Sequence, residues 1–533
     1  MAIAAAPSPY DLGIAAEAQV EKAKLQKHFG RADIFFFLVC TLVGVDGLGT
    51  LATSGGAGFS WLMLSVVFFA VPSALILAEL GAAYTDEGGP YVWVRMAFGH
   101  LVGAVNNFFY WVTNPVWMGG TLVATGLTGI TVFWYRDDHT FSNTSTYLFG
   151  IPFIWIGVLF AILSFKIGKW IATVGAIARF LLLGFFTVVV LMYGAKHGFH
   201  GPGLGSYSPG FSAFVLLVPL ILFSLVGFEL PSAAAEEMTD AADDVPAGIA
   251  KSVVATALLY GLPVLGILVV LPETQASGLS GFPDALKQAM SVFGGTVTTD
   301  DTGAVTTHLS GAGLAIGWIM GALIAIVAFT SGLTWIMGSD RTLAVSSYDG
   351  AGPKALGKFS ARFGTPVRVN LLSGVVSTAV FVAVLEITSG NAAKFFTVAL
   401  SLAISTTLIS YLAIFPAAWM LRRRRPEDNR PYRSPWLPFT TIITTVAILF
   451  CTVELLFPGL GDTWFSGNYL ADGWDTTEKW VYLLTEAIPL VIFTVIAVTF
   501  WYFGKRHREK AAMAFAMSGG QPTAAGAAPT TTV

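Results

Sequence analysis

Roughly twelve apolar stretches, each about 17 to 25 residues and so long enough for a helix to cross a hydrocarbon layer of about 30 Å, recur along this 533-residue chain. Their approximate limits are 33 to 54, 59 to 83, 97 to 133, 149 to 166, 169 to 194, 211 to 235, 247 to 271, 312 to 346, 366 to 387, 393 to 421, 437 to 458 and 481 to 504. Only 11% of the residues are charged, against about 25% in an ordinary soluble chain, which is too few to coat a soluble particle of this size. The expected fold class is therefore an all-α integral membrane protein with about 12 transmembrane helices.

The charges that do occur cluster between the apolar runs. With the N-terminus placed in the cytoplasm, 23 of the 29 Lys and Arg fall on cytoplasmic segments, five on the outer side, and Arg179 within a span. The positive-inside rule then puts both termini in the cytoplasm of a multi-pass protein of the cell membrane. A net charge of -3 removes the case for a nucleic-acid partner, which needs a concentrated basic surface. Cys40 and Cys451 lie inside apolar runs, where thiols behave as small hydrophobes. No spacing of the His-Glu-x-x-His kind occurs, so neither a metal nor a cofactor is expected. The first 32 residues lack the pattern of a cleaved signal peptide, which leaves insertion to the first span. The residues from 511 onward, rich in Ala, Gly, Pro and Thr, read as disordered, and the longest outer loop, from Thr274 to Leu309, as holding a short helix over Pro283 to Phe293.

Two spans carry interruptions. The first contains Gly44-Val45-Asp46-Gly47-Leu48-Gly49 and the sixth Ser224-Leu225-Val226-Gly227-Phe228-Glu229-Leu230-Pro231. A spanning helix satisfies its own backbone, so glycine and proline clusters at mid-depth mark backbone exposed to a ligand or cavity. Glycine also serves plain helix packing. Here two clusters lie five spans apart, and each carries an intramembrane carboxylate that costs about 2.5 to 3.5 kcal/mol. That pairing favours a transport site at the membrane midplane. The substrate-binding candidates it supplies are Gly44, Val45, Asp46, Gly47, Gly49, Ser224 and Gly227.

Further motifs accompany these: Ala78-Glu79-Leu80, then Glu87-Gly88-Gly89-Pro90-Tyr91-Val92-Trp93 and Ala97-Phe98-Gly99; Gly227-Phe228-Glu229 followed by Glu237 and Val245-Pro246; Tyr348-Asp349-Gly350-Ala351-Gly352-Pro353 with Gly364-Thr365-Pro366; and Arg430-Pro431-Tyr432-Arg433. In this order they resemble the amino acid-polyamine-organocation superfamily of transporters over residues 31 to 435. Phe68-Phe69-Ala70-Val71-Pro72 and Thr85-Asp86 look most like its glutamate:GABA antiporter branch. The resemblance implies a LeuT-like 5+5 inverted repeat with broken helices 1 and 6. The division that follows is a cytoplasmic segment 1–32, a ten-helix core 33–421 made of repeats 33–194 and 211–421, peripheral helices 11 and 12 over 437–504, and a disordered cytoplasmic tail 505–533.

The same resemblance assigns a gating role to Phe223, a site-lining role to the aromatics Tyr110 and Trp335, and a coupling role to Glu229, linked in relatives to pH-dependent gating. Lipid or core packing is the plainer reading of any one aromatic in a chain with 13% of them. Relatives carry a Gly-Ser-Gly type sequence at the first break, where this chain has Asp46. A carboxylate there repels an incoming carboxylate unless protonated or paired, and would instead hold a substrate ammonium; alternatively it pairs with a nearby cation or caps a half-helix. Arg179 stands where some sodium-independent relatives carry a lysine, so that a fixed cation occupies a sodium position. Its competing reading is snorkelling to the cytoplasmic interface.

The function these features imply is a secondary active transporter that moves an amino acid or closely related amine by alternating access, sodium-independent, through exchange or proton-linked uptake. A sodium-coupled symporter, with Thr330, Ser331 or Thr334 as ligands, is the alternative. An ion channel and a membrane enzyme are disfavoured, since neither a filter sequence nor a convergent catalytic set is visible. The partners are the small-molecule substrate and the bilayer, and assembly as a homo-oligomer is compatible with such a chain.

Overall fold

The computed structural model describes residues 30–135, 142–163, 165–199, 201–271, 278–299, 305–388, 391–459, 463 and 474–517. Among them the chain is helical apart from one hairpin. In chain order the elements are α1 (Arg31–Leu42), α2 (Leu48–Ala52), α3 (Gly55–Ala83), α4 (Pro90–Phe98), α5 (His100–Trp134), α6 (Asn143–Leu163), α7 (Phe165–His197), α8 (Phe211–Ser224), a 3-10 segment (Leu230–Glu237), and α9 (Ala241–Val270). They continue with α10 (Gly281–Ala289), β1 (Gly295–Thr299), β2 (Val305–Leu309), α11 (Gly311–Tyr348), α12 (Val367–Ile387), α13 (Ala392–Arg424), α14 (Leu437–Leu456) and α15 (Lys479–Met517).

Ten of these, α3, α5, α6, α7, α9 and α11 to α15, are long and apolar enough to cross a membrane. Each of the ten corresponds to one of the apolar runs read from the sequence. The other two runs are the interrupted ones. α1 and α2 are separated by Val43 to Gly47, with Val43 in an extended conformation. α8 stops at Ser224, and helical geometry resumes only at Leu230.

Close packing at the centre rests on small residues. α5 passes between α12 and α13 at a π-helical turn, Met118–Leu122, three residues after Pro115. A Cβ on Gly119 would lie 2.1 Å from the Ser377 carbonyl oxygen, and one on Gly120 2.3 Å from the Ala399 Cβ. The Gly119-Gly120 pair is what lets three helices approach closely.

Several motifs that are far apart in sequence converge at one end of the bundle. Glu79 in α3 is bound by Arg422 at the end of α13, by Arg430 Nε at 3.4 Å and by the Ser434 amide at 2.8 Å. Glu87 pairs with Arg341 of α11 at 2.8 Å, both fully buried. Asp349, after α11, accepts from Tyr91 Oη at 2.6 Å and pairs with Arg95 at 3.0 Å. Gly88 has φ +98° and faces Val345, while a Cβ on Gly89 would collide with the Ser232 backbone at 2.9 Å. The Glu-Gly-Gly-Pro motif thus joins α4, α11 and the 3-10 segment, and Pro90 at the first position of α4 sets the helix going. The side chain of Glu237 lies outside the described residues.

Three expectations need correction. The outer loop holds α10 followed by a 3-10 turn over Met290–Phe293, as a short helix there predicts, but it also forms the antiparallel hairpin of β1 and β2. The strands read Gly-Thr-Val-Thr-Thr and Val-Thr-Thr-His-Leu, too polar and short to give an apolar alternation. Residues 87 to 98 contain a separate helix, α4, broken from α5 at Gly99, whose φ is +91°. Finally, α15 runs to Met517, past both the 505 boundary and the start of the tail read as disordered at 511. Ala511-Ala512-Met513-Ala514 is strong helix-forming sequence, and just upstream Arg508 donates to the Gly350 carbonyl while its guanidinium stacks 4.6 Å from the Trp501 ring. Residues 518–533 lie outside the described set.

Candidate functional site

The interruption after α1 leaves backbone groups that a side chain from α9 satisfies. The Tyr260 hydroxyl accepts from the Gly44 amide at 3.0 Å and donates to the Leu42 carbonyl at 3.0 Å. Trp335 of α11 donates its indole N-H to the Thr41 carbonyl at 3.0 Å. In the second interruption, Gly227 has φ +120°, and a Cβ there would lie 2.8 Å from Trp335 Cζ2. That backbone conformation and that clearance both require glycine. One tryptophan is therefore in contact with both breaks.

Between the breaks lies a small cavity of about 20 Å³, room for roughly one water. Gly44, Asp46, Gly47, Phe223, Ser224 and Trp335 are the sequence candidates that line it. Val45 and Gly49 are buried beside it without forming its wall. Asp46, 6% exposed, accepts from the indole N-H of Trp117 at 2.8 Å. Among the described residues no cation lies within salt-bridge distance of it and no side-chain hydrogen bond caps α2, while the charge of Arg179 acts on it from further off.

The aromatic rings form a continuous set. Trp117 meets Phe223 edge-on at 5.9 Å and Trp335 edge-on at 6.4 Å between ring centroids. Tyr110 lies 6.2 Å from Trp335, is not one of the residues lining the cavity, and donates its hydroxyl to Glu229 Oε1 at 2.9 Å. Glu229 is fully buried, and the Tyr411 hydroxyl stands beside its carboxylate. Glu229 and Tyr110 thus form a polar cluster adjoining the cavity and outside its walls.

Arg179 does not reach an interface. It is fully buried, and its guanidinium donates to the Val43 carbonyl at 2.6 Å, the Gly175 carbonyl at 2.7 Å, Thr330 Oγ1 at 3.1 Å, the Val327 carbonyl at 3.2 Å and Ser331 Oγ. Cys40 Sγ lies 3.3 Å from the same group. The cation joins the first break, α7 and α11, touching two of the three hydroxyls named for the sodium-coupled alternative; Thr334 instead bonds back to its own helix at 2.9 Å.

Sequence reasoning missed Trp117, Tyr260, Thr113, Asn114 and Thr407, all of which line the cavity. Asn114 is 1% exposed; its amide donates to the Tyr110 carbonyl at 3.1 Å, and its Oδ1 has no partner. The one available signal was Asn114-Pro115 inside an apolar run, a polar residue next to a helix-disrupting one.

A family model described as amino acid permease matches residues 29–482. Among characterised and uncharacterised relatives, the probable agmatine/putrescine antiporter AguD of Lactococcus lactis is 28% identical over 79% of this chain and 87% of its own length. An uncharacterised transporter, lpg1691, of Legionella pneumophila is 28% identical over 80% of this chain and 88% of its own length. The glutamate/gamma-aminobutyrate antiporter of Lactococcus lactis is 22% identical over 75% of this chain and 77% of its own length. These are transporters rather than enzymes. With the broken helices, the ordered motifs and a match over most of its length, the chain belongs to the amino acid permease family within the amino acid-polyamine-organocation superfamily, a group of multi-pass membrane transporters of amino acids and amines.

Proposed function

We propose that this chain carries a small amino acid or amine across the cell membrane by alternating access, without sodium, and by exchange or proton-linked uptake. In this reading α1 with α2, and α8 with the 3-10 segment, are spans one and six of twelve. Residues 33–194 and 211–421 are the two inverted repeats, and the helices of 437–504 are peripheral. The charge distribution supports cytoplasmic termini.

The observation that carries the proposal is that both helix interruptions border one small cavity. Its acceptors, Asp46 and Asn114 Oδ1, together with the rings of Trp117, Phe223 and Trp335, suit a protonated amine, which is drawn both to a carboxylate and to aromatic faces. The relative named for agmatine and putrescine agrees with that preference. Unwound backbone at the breaks is left to meet a carboxylate where the substrate has one. Phe223 closes over the amine, and at about 20 Å³ the cavity is in a contracted state that widens on loading.

Sodium independence follows from Arg179. A sodium ion placed about 4 Å from a guanidinium meets a repulsion of about 4 kcal/mol at an effective dielectric of about 20, and Arg179 already uses the Val43 carbonyl and the α11 hydroxyls. Arginine does not release its proton; Glu229 and Asp46 are the carboxylates at the two breaks, and in this reading they carry the pH dependence, so that Glu229→Gln flattens the pH profile of uptake.

A thermal-shift screen of the purified protein tests the substrate assignment, since a ligand at 100 times its Kd stabilises the folded state by about 2.7 kcal/mol. Amines or amino acids are expected to raise the melting temperature, and Asp46→Asn to remove the response to amines. Stabilisation of the parent by neither class, or an undiminished amine response in the variant, contradicts the assignment.

A further inference from the structure

Hydrogen-bond donors and acceptors are unequally available around the central cavity. Its serine and threonine hydroxyls, on Thr41, Thr113, Ser224 and Thr407, each donate to the carbonyl one turn earlier in their own helix, at 2.7 to 2.9 Å. The indoles of Trp117 and Trp335 are engaged by Asp46 and by the Thr41 carbonyl, and the Asn114 amide by the Tyr110 carbonyl. Among the described residues no Lys, Arg or His stands in the wall. Arg179 lies behind it and directs its donors to the Val43, Gly175 and Val327 carbonyls and to α11 hydroxyls. Asn114 Oδ1, by contrast, is an acceptor with no partner.

At the first break the chain also takes up backbone donors. The Gly44 amide is on the Tyr260 hydroxyl, which donates onward to the Leu42 carbonyl. The Asp46 side chain folds back over the same segment. Its Oδ1 lies 2.5 Å from where a Cβ on Gly44 would stand, so that only glycine leaves room for it, and the amides of Asp46 and Gly47 act on the carboxylate. Amides freed by a break in a spanning helix attract an anionic group. Here the anionic group that meets them belongs to the chain.

We infer that Asp46 stands in the place of a substrate carboxylate, with Tyr260 covering the Gly44 amide, so that the site takes amines that have no carboxylate and rejects amino acids. An amino acid would bring a second carboxylate against Asp46, and its oxygens would meet side-chain donors that already have acceptors. Both effects disfavour it strongly where the dielectric is low. A decarboxylated diamine or guanidino-amine brings only N-H donors, which Asp46, Asn114 Oδ1 and the aromatic faces accept. The inference rests on the amine reading of this cavity and narrows its substrate class, with Asp46 and Tyr260 as the residues that set it.

Putrescine and ornithine differ by one carboxylate, as do agmatine and arginine. Each pair is compared by thermal shift on the purified full chain and by competition against radiolabelled putrescine uptake in liposomes. The amine of each pair is expected to bind at least about tenfold more tightly than its amino acid, as repulsion between two close carboxylates requires. This comparison needs no variant to fold. Asp46→Gly removes the chain's own carboxylate and frees the Gly47 amide; it is expected to weaken putrescine, strengthen ornithine and so reverse their order. Tyr260→Phe frees the Gly44 amide alone and is expected to narrow the gap several-fold. Ornithine bound as tightly as putrescine by the parent, or a preference for putrescine undiminished in both variants, overturns the inference and leaves the transport reading standing. If the parent binds none of the four, the amine reading fails and this one with it.

Discussion

Gly227 and Arg179 are the two positions where a single side chain decides most. At Gly227 the positive φ and the 2.8 Å approach to Trp335 leave no room for any larger residue. Gly227→Leu is expected to abolish uptake, while the protein still inserts and is recovered from the membrane fraction in parental amount; retained uptake would separate the break from transport. Arg179→Ala strands the Val43 carbonyl and the Ser331 hydroxyl in a dry interior, at about 1 to 3 kcal/mol for each group left unpaired. A lower melting temperature and impaired transport are expected, with no requirement for sodium created by the loss of the charge. Gly227, Asp46 and Arg179 were legible in the sequence because a glycine break or an ionised side chain is costly inside a membrane. Trp117 and Tyr260 were not. Their importance comes from hydrogen bonds to Asp46 and to the Gly44 amide across 71 and 216 residues of sequence, and in a chain so rich in aromatics neither has a local mark.

Among the elements, the joint formed by α4, α11 and the 3-10 segment holds the motif that most resembled the family. Its glycines are needed for clearance against Val345 and Ser232, and its glutamate neutralises Arg341, which also donates to the Gly364 carbonyl at 3.3 Å. Removing one partner of a fully buried pair costs about 3 to 5 kcal/mol because the other charge is left uncompensated. Glu87→Gln is accordingly expected to lower the thermal midpoint sharply in detergent, whereas Lys505→Gln, in an exposed pair of 3.8 Å, is expected to leave it within error, an exposed pair being worth about 0 to 1 kcal/mol. Equal effects of the two would argue against the joint. The ten long helices were legible from hydropathy alone, since each must supply its own backbone bonds and an apolar surface of fixed length. α4 and the hairpin were not, because they lie outside the apolar runs, where no such length rule applies. The extension of α15 to Met517 escaped for a different reason: it is anchored through Arg508 to the Gly350 carbonyl, a contact invisible in composition.

In the whole molecule a small central cavity lies between two broken helices, with a permanent cation held beside them. Membership of the amino acid permease family establishes a transporter, and the proposals concern what it carries and what drives it. Both proposals depend on charge: in them Asp46 at the cavity selects the amine, and Arg179 behind the first break displaces sodium. Uptake of radiolabelled putrescine, agmatine and amino acids into liposomes containing the purified full chain, with sodium replaced by potassium at constant ionic strength, measures the two together. The account predicts amine or amino acid uptake that is unchanged by the replacement and is accelerated by an internal counter-substrate or an inward proton gradient. Uptake that is lost when sodium is removed would contradict it.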